Sequence, residues 1–119
     1  MPDWGETSTA PWDDYATSVK HLIISDGITN VGSYAFDALT DLQSVKIAGS
    51  VTVLGEYAFS ECRNLLAVAI GEGSSLQNID QYCFNWCTNL RYINIPDTVT
   101  ELGNWAFGYC EALDRIMVN

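Results

Sequence analysis

The sequence predicts an α/β repeat solenoid, with a parallel β-sheet on one face and short second strands, 3₁₀ turns or helical turns on the other. The four Phe residues recur at spacings of 23, 25 and 23, each inside a similar six-letter string (34–39, 57–62, 82–87 and 105–110). A motif of the form L-x-x-V-x-I, with period 2 and many β-branched residues, occurs five times. One such unit cannot bury its apolar face alone, whereas stacked units cover one another.

The L-x-x-V-x-I motif predicts the first element of each coil, a short strand. Copies in successive coils would lie about 4.8 Å apart and form the parallel sheet. The predicted strands are Val19–Ile24, Leu42–Ile47, Leu65–Ile70, Leu90–Ile95 and Leu113–Val118. The third repeat is two residues longer, and the extra residues fall in the Gly- and Ser-rich loop 71–78, where insertions are tolerated.

The second element of each coil begins with another apolar pair, such as Val51 and Leu54. The next position holds Gly32, Gly55, Asp80 and Gly103 in the four repeats. Gly adopts positive φ freely and Asp tolerates it, so we expect a left-handed turn there. The string Y-A-F-x-x-C predicts a short helical or 3₁₀ turn that closes the coil.

Stacking places equivalent aromatic residues in columns. The first column is an aromatic stack in the core, formed by Phe36, Phe59, Phe84 and Phe107. The second lies two residues earlier and contains Tyr34, Tyr57, Tyr82 and Trp105.

The pattern V-T-x-L-G-x-x-A-F-x-x-C-x-x-L-x-x-V-x-I resembles the BspA-like class of leucine-rich repeats. Residues 51–70 and 99–118 carry it almost intact, and the resemblance covers 19–118. It implies a leucine-rich-repeat right-handed superhelix: a lead-in or N-terminal cap over 1–18, and a repeat domain over 19–119 with four coils plus a leading half-repeat. The departures are Leu39 where other repeats have Cys, and Cys83 where others have Ala.

The resemblance also implies a function, because the family occurs on secreted and surface proteins of bacteria and some protozoa. We therefore expect an extracellular or cell-surface, non-catalytic module for binding or adhesion, with a protein or glycan ligand on a host or matrix surface. The alternative is a structural spacer or self-assembling repeat element within a longer protein. Residues 1–10 have neither a basic start nor an apolar middle, so they do not predict a signal peptide.

Charge narrows the range of partners. The formal net charge is −10, and the chain has five basic residues. Nucleic acids and anionic membranes are disfavoured partners, because binding phosphate groups requires clustered Lys and Arg. The apolar runs are also too short to cross a bilayer, so membrane insertion is not expected.

The cysteines raise three possibilities. Cys62, Cys87 and Cys110 share one repeat position, which predicts an inward column of small buried thiols. Disulfides and a metal site are the alternatives. The pair to test first is Cys83 with Cys87, which lies four residues later. Parallel Cβ directions suit bridging poorly. Zinc would require four ligands, so no metal or cofactor is predicted.

No catalytic residue is predicted either. His21 is the one imidazole, and a hydrolase would need a nucleophile and an orienting acid in contact with it. The acidic pairs Asp13–Asp14 and Asp37–Asp41 are expected to be surface charge, with calcium binding as the alternative.

The outward positions of the predicted sheet form the candidate binding site, which we call the outer strip. It comprises His21, Ile23, Ser44, Lys46, Ala67, Ala69, Tyr92, Asn94, Arg115 and Met117. The candidate ligand-binding residues are His21, Lys46, Ala67, Ala69, Tyr92, Asn94 and Arg115. Tyr92 and Arg115 are the expected anchors, because Tyr and Arg are enriched at interface hot spots. A second candidate binding site is the convex aromatic set Trp86, Trp105 and Tyr109, whose rings could stack on sugars.

The two ends of the solenoid differ in the prediction. Trp12 and Tyr15, with Trp4 as a weaker candidate, would cap the first coil. The last strand has no such segment after it, so we expect either a homodimer through the uncapped C-terminal end or continuation into further repeats of a longer protein.

Overall fold

The computed structural model describes residues 1–4 and 18–118, with the backbone alone at positions 115, 117 and 118. The described chain forms a parallel β-solenoid of about four turns with two sheets. The larger sheet contains, in spatial order, β1 (His21–Ile24), β3 (Ser44–Ile47), β5 (Ala67–Ile70), β7 (Tyr92–Ile95) and β9 (Arg115–Val118). The smaller sheet contains β2 (Asn30–Val31), β4 (Val53–Leu54), β6 (Asn78–Ile79) and β8 (Glu101–Leu102).

The five predicted sheet strands are confirmed in number and order, but each begins two residues later than predicted. The Leu that opens the motif belongs to the preceding turn. In the second coil, for example, the Leu65 N–H donates to the Cys62 carbonyl at 3.1 Å. The Leu side chain still lies in the core, since Leu42, Leu65 and Leu90 are all fully buried.

The core is built from the predicted columns. Centroids of successive Phe rings in the stack lie 5.5, 5.3 and 5.5 Å apart, with nearly parallel planes. The second aromatic column is present for Tyr34, Tyr57 and Tyr82, whose ring centroids lie 4.7 and 4.9 Å apart. Trp105 stacks instead with Tyr109 of its own coil, at 5.8 Å.

No described residue is helical, so the helical or 3₁₀ turns predicted for Y-A-F-x-x-C, and with them the α part of the predicted α/β class, are not confirmed. Alternate N–H groups of this segment bond to the neighbouring coil, as when Phe36 donates to Ala58 O at 2.8 Å and Phe59 to Cys83 O at 2.8 Å. An α-helix would direct these donors four residues back along its own chain. The segment is therefore a run of turns that forms a third hydrogen-bonded ladder between coils.

The predicted left-handed position is also wrong by two residues. Positive φ falls at Tyr34, Tyr57, Tyr82 and Trp105, and again four residues later in each coil. The repeated glycine serves close packing instead. A Cβ placed on Gly55 would lie 2.7 Å from Ser33 N and 2.8 Å from Val31 O, so a side chain there would collide with the backbone of the preceding coil.

Residues 1–4 cover the N-terminal end of the smaller sheet. Trp4 N–H donates to Ser33 O at 2.6 Å, and Ser33 N–H donates to Asp3 Oδ1 at 2.7 Å. The Asn30 side chain bonds both the Met1 ammonium at 3.1 Å and the Met1 carbonyl at 2.8 Å. Met1 and Trp4 pack against the core, whereas Trp12 and Tyr15 lie outside the described residues.

Candidate functional site

The strand register brings the outer strip together. His21, Ser44, Ala67, Tyr92 and Arg115 form one column across the larger sheet. Ile23, Lys46 and Ala69 form part of a second column, and Asn94 pairs with Met117. The first column therefore crosses all five strands, whereas the second is interrupted between Ala69 and Asn94. The side chains of Arg115 and Met117 are not described.

A concavity of about 430 Å³ lies at one edge of the outer strip. Ile23, Lys46 and Ala69 lie side by side on its sheet wall, and Ile23 is 69% exposed. The other lining residues follow or end the strands: Ile24, Ser25, Asp26, Ile47, Ala48, Ile70 and Gly71. The turn residues Ser25, Asp26 and Gly71 were absent from the predicted site, although their place directly after each strand was a usable signal.

Electrostatically, this concavity combines one cation and one anion with an apolar wall. Lys46 contributes an ammonium and Asp26 a carboxylate at its rim. His21, in the next column, bonds Ser44 Oγ through Nδ1 at 2.7 Å. Tyr92 is half-buried, and Ala67 between it and Ser44 keeps the sheet surface low.

Asn94 has a structural task on this face. Its Nδ2 donates to Ile70 O at 2.8 Å, and its Oδ1 accepts from Ile70 N at 2.9 Å. β5 and β7 pair over only two residues, whereas β3 and β5 pair over four. The Asn94 amide therefore replaces the backbone ladder where these strands separate, and both of its polar groups are engaged within the protein.

The separation of β5 from β7 adjoins a second concavity of about 410 Å³. It lies between the turn that carries the two-residue insertion and the turn after β7. Its lining residues are Ile70, Gly71, Glu72, Gly73, Ser74, Asn94, Pro96, Asp97 and Thr98. Ile70 and Gly71 line both concavities, so the two form one interrupted groove along the strand ends.

The convex aromatic set is only partly available to a ligand. Trp86 stacks on Tyr109 at 4.1 Å, and the Arg63 guanidinium carbon lies 5.4 Å from the Trp86 ring centroid. Trp105 and Tyr109 remain 56% and 48% exposed. The faces of Trp86 are therefore in use inside the protein, and a sugar would have to stack on the other two rings.

The cysteines are free thiols that pack in the core. Cys62, Cys87 and Cys110 each lie 3.1–3.3 Å from the Phe carbonyl of the preceding coil, with Sγ donating. Leu39 stands at this position in the first described coil, which follows no earlier Phe carbonyl. Burial raises the pKa of Cys110 to about 11. Burial also raises the pKa values of Cys83 and Cys87 well above their usual range, so these thiols stay protonated.

The acidic groups do not assemble into a metal site among the described residues. Asp37 and Asp41 are partly buried, and Asp13 and Asp14 lie outside the described part of the chain. Asp80, in the repeated Gly position, lines a polar concavity of about 580 Å³ with Glu56 and Glu101. Burial raises the pKa of its carboxyl, and the charges of Glu56, Glu101 and Asp3 raise it further.

Comparisons with solved structures relate this fold to bacterial repeat proteins. A leucine-rich repeat protein from Eubacterium ventriosum superposes with a TM-score of 0.72 at 23% identity, covering 100% of this chain and 37% of its own. A leucine-rich cell surface protein from Faecalibacterium prausnitzii gives 0.56 at 28% identity, covering 87% and 33%. The pneumococcal vaccine antigen PcpA gives 0.77 at 20% identity, covering 99% and 31%.

The chain thus spans about a third of the length of these three proteins. No curated protein sequence matches it significantly. The described residues include no helix that could span a membrane. The sequence profile of the BspA-type leucine-rich repeat region (6 copies) matches residues 14–119, which is most of the chain. The protein therefore belongs to the BspA-type leucine-rich repeat family.

Proposed function

We propose that this protein is a binding module of a secreted or cell-surface protein, and that its partner is a protein that docks on the outer strip. The observation that carries the proposal is the concavity beside Ile23, Lys46 and Ala69. Repeat proteins of this family are generally non-catalytic, and similar solved structures include a cell surface protein and a vaccine antigen. Surface location and adhesion follow from that likeness as part of the proposal.

The chemistry of the concavity favours a particular kind of partner segment. The exposed Ile23 beside the small Ala69 offers an apolar contact surface. Burial of a partner's apolar side chain there contributes about 25 cal/mol per Å² of area removed from water. Lys46 offers a charge of the opposite sign to the protein's net −10. We therefore propose a segment that carries an apolar side chain next to a carboxylate, with Tyr92 adding contact area at the far side.

The test measures binding of the 119-residue chain to an immobilised panel of purified extracellular-matrix proteins and glycans. We expect the chain to bind a matrix protein. The double variant Ile23→Glu/Lys46→Glu should bind it at least about tenfold more weakly, because it removes both the apolar contact surface and the cation. Lys20→Glu and Leu66→Glu are the matched controls, since both side chains are exposed and lie outside the concavity. They should bind like the parent chain.

Two results would overturn the proposal. Unchanged binding in the Ile23→Glu/Lys46→Glu variant would remove the concavity from the interface. Binding to glycans alone, lost when Trp105 and Tyr109 are replaced by Ala, would transfer the function to the convex aromatic set.

A further inference from the structure

A polar concavity of about 270 Å³ crosses the first three coils on the side that carries the third hydrogen-bonded ladder. Its floor is formed by the residue that follows the core Phe in each of these coils, which is Asp37, Ser60 and Asn85. Tyr34 and Tyr57, which precede the floor in the chain, form one wall, and Glu61 and Trp86, which follow it, form the other. We call this concavity the polar trough.

The floor contains a buried amide whose oxygen is unsatisfied. Asn85 is only 9% exposed, and its Oδ1 has no hydrogen-bond partner among the described residues. Buried acceptors are normally bonded, so this one marks a position where a donor from outside would be gained. Oδ1 faces Gly108 of the fourth coil, where a Cβ would lie 2.7 Å away. Because residues of the first three coils line the trough, it lies on the other side of Asn85, and a half-turn of the terminal amide brings the oxygen round to it.

The aromatic walls present ring edges and not open faces. The two Tyr rings stack on each other at 4.7 Å, and the faces of Trp86 are engaged by Tyr109 and Arg63. The edge of an aromatic ring is electropositive and attracts oxygen atoms. Recognition in the trough therefore rests on hydrogen bonds and ring edges, in contrast to stacking on the convex aromatic set.

We propose that the polar trough binds one pyranose ring of a glycan. The carboxylates of Asp37 and Glu61 accept hydrogen bonds from sugar hydroxyls, and such charge-assisted bonds are the stronger ones. The Ser60 hydroxyl and the Asn85 amide both donate and accept, as sugar hydroxyls do. An ammonium group only donates, so it would leave the donors of Ser60 and Asn85 unmatched.

The size and the place of the trough define the proposal further. Its volume lies just below the roughly 300 Å³ at which sites for drug-sized ligands begin, so it admits a single ring whose glycosidic neighbours stay in solvent. The trough shares no residue with the outer strip. The sugar site is therefore independent of the protein partner proposed above.

Two-dimensional amide NMR on the 119-residue chain tests the site. The probes are the methyl glycosides of glucose, galactose, mannose and N-acetylglucosamine, each added to about 50 mM. We expect at least one of them to shift the amide signals of Ser60, Glu61 and Asn85 saturably, with a dissociation constant on the order of 1–10 mM, because a single ring makes few contacts.

Glu61→Gln should raise that dissociation constant at least about fivefold, because a neutral amide oxygen replaces a charged acceptor. Glu72→Gln is the matched control, since Glu72 is an exposed carboxylate outside the trough, and it should leave the constant unchanged. The amide spectrum of each variant must match that of the parent chain away from the substitution, and Ser60→Ala replaces Glu61→Gln if the latter fails to fold.

The absence of saturable shifts with all four glycosides at about 50 mM would overturn the inference. Shifts confined to Trp105 and Tyr109 would also contradict it, because they would place the sugar on the convex aromatic set. Equal effects of Glu61→Gln and Glu72→Gln would remove the trough from the binding site. Ethylammonium chloride should leave the trough signals unchanged, and shifts produced by it but by no glycoside would replace the sugar with a cation.

The variant Ile23→Glu/Lys46→Glu separates this inference from the proposed function. It should keep the glycoside shifts while it loses matrix binding, because both substitutions lie on the outer strip. Loss of the glycoside shifts in this variant would place the sugar on the outer strip and contradict the assignment to the trough.

Discussion

At the scale of single residues, the repeat sequence is shaped by contacts between coils. Cys at the last position of Y-A-F-x-x-C is small enough for the core, and its S–H lies within bonding distance of a carbonyl of the coil before. Gly55 is required because the backbone of the preceding coil passes within 2.7 Å of where a Cβ would be. In both cases the residue type is set by an atom more than 20 residues away in the sequence. The Cys donates a hydrogen bond to that atom, and the Gly avoids a collision with it.

The thiols give a prediction at this scale. Cys62, Cys83 and Cys87 should not react with a thiol reagent in the native protein at about pH 8, because they are fully buried. Cys110 should react first and slowly, since it is only partly buried and its pKa is about 11. All four should react in denaturant. Four rapid equivalents in the native state would contradict the core described above.

At the scale of elements, short strands are held in place by parallel pairing with the strands of neighbouring coils. The Asn94 side chain ends that pairing at one point, between β5 and β7. The two-residue strands of the smaller sheet are held by neighbours on both sides, as β4 is by β2 and β6. Asn94 ends the ladder between β5 and β7 and bonds Ile70 in its place. The Asn94 amide takes the place of a backbone partner, so the N–H and C=O of Ile70 remain hydrogen-bonded where the turns after β5 and β7 separate.

Asn94→Ala tests this account. It leaves the N–H and C=O of Ile70 without their partner, so we expect a loss of about 1–3 kcal/mol in the free energy of unfolding. Urea denaturation measures the loss, and amide hydrogen exchange at Ile70 should accelerate. Asn89→Ala is the control, because Asn89 is exposed and its side chain meets Asn64 only at 3.5 Å; equal losses in both variants would refute the role of Asn94.

At the scale of the whole molecule, burial is graded along the solenoid axis. The second and third coils have neighbours on both sides, and Phe59 and Phe84 are fully buried. Phe107 in the fourth coil is only partly buried. Because each coil of a solenoid contacts only its neighbours, its local stability depends on how many neighbours it has.

Amide hydrogen exchange should therefore be fastest in the last coil. We expect β8 and β9 to exchange before β4 and β5 in dilute protein, since end coils open without global unfolding. Uniform protection along the axis at low concentration would argue against the gradient.

The repeat phase alone determined the number and order of sheet strands, the inward Phe stack and the outward position of Lys46 and Tyr92. These features depend on a period that is written into the chain, since equivalent positions in a solenoid must stack. The tertiary structure decided where φ is positive. It also decided that the N–H groups of Phe36 and Phe59 donate to the next coil rather than along a helix. It likewise decided that Asn94 binds Ile70 and that a concavity forms beside Ile23. Those outcomes rest on contacts between coils, which no local pattern in the sequence encodes.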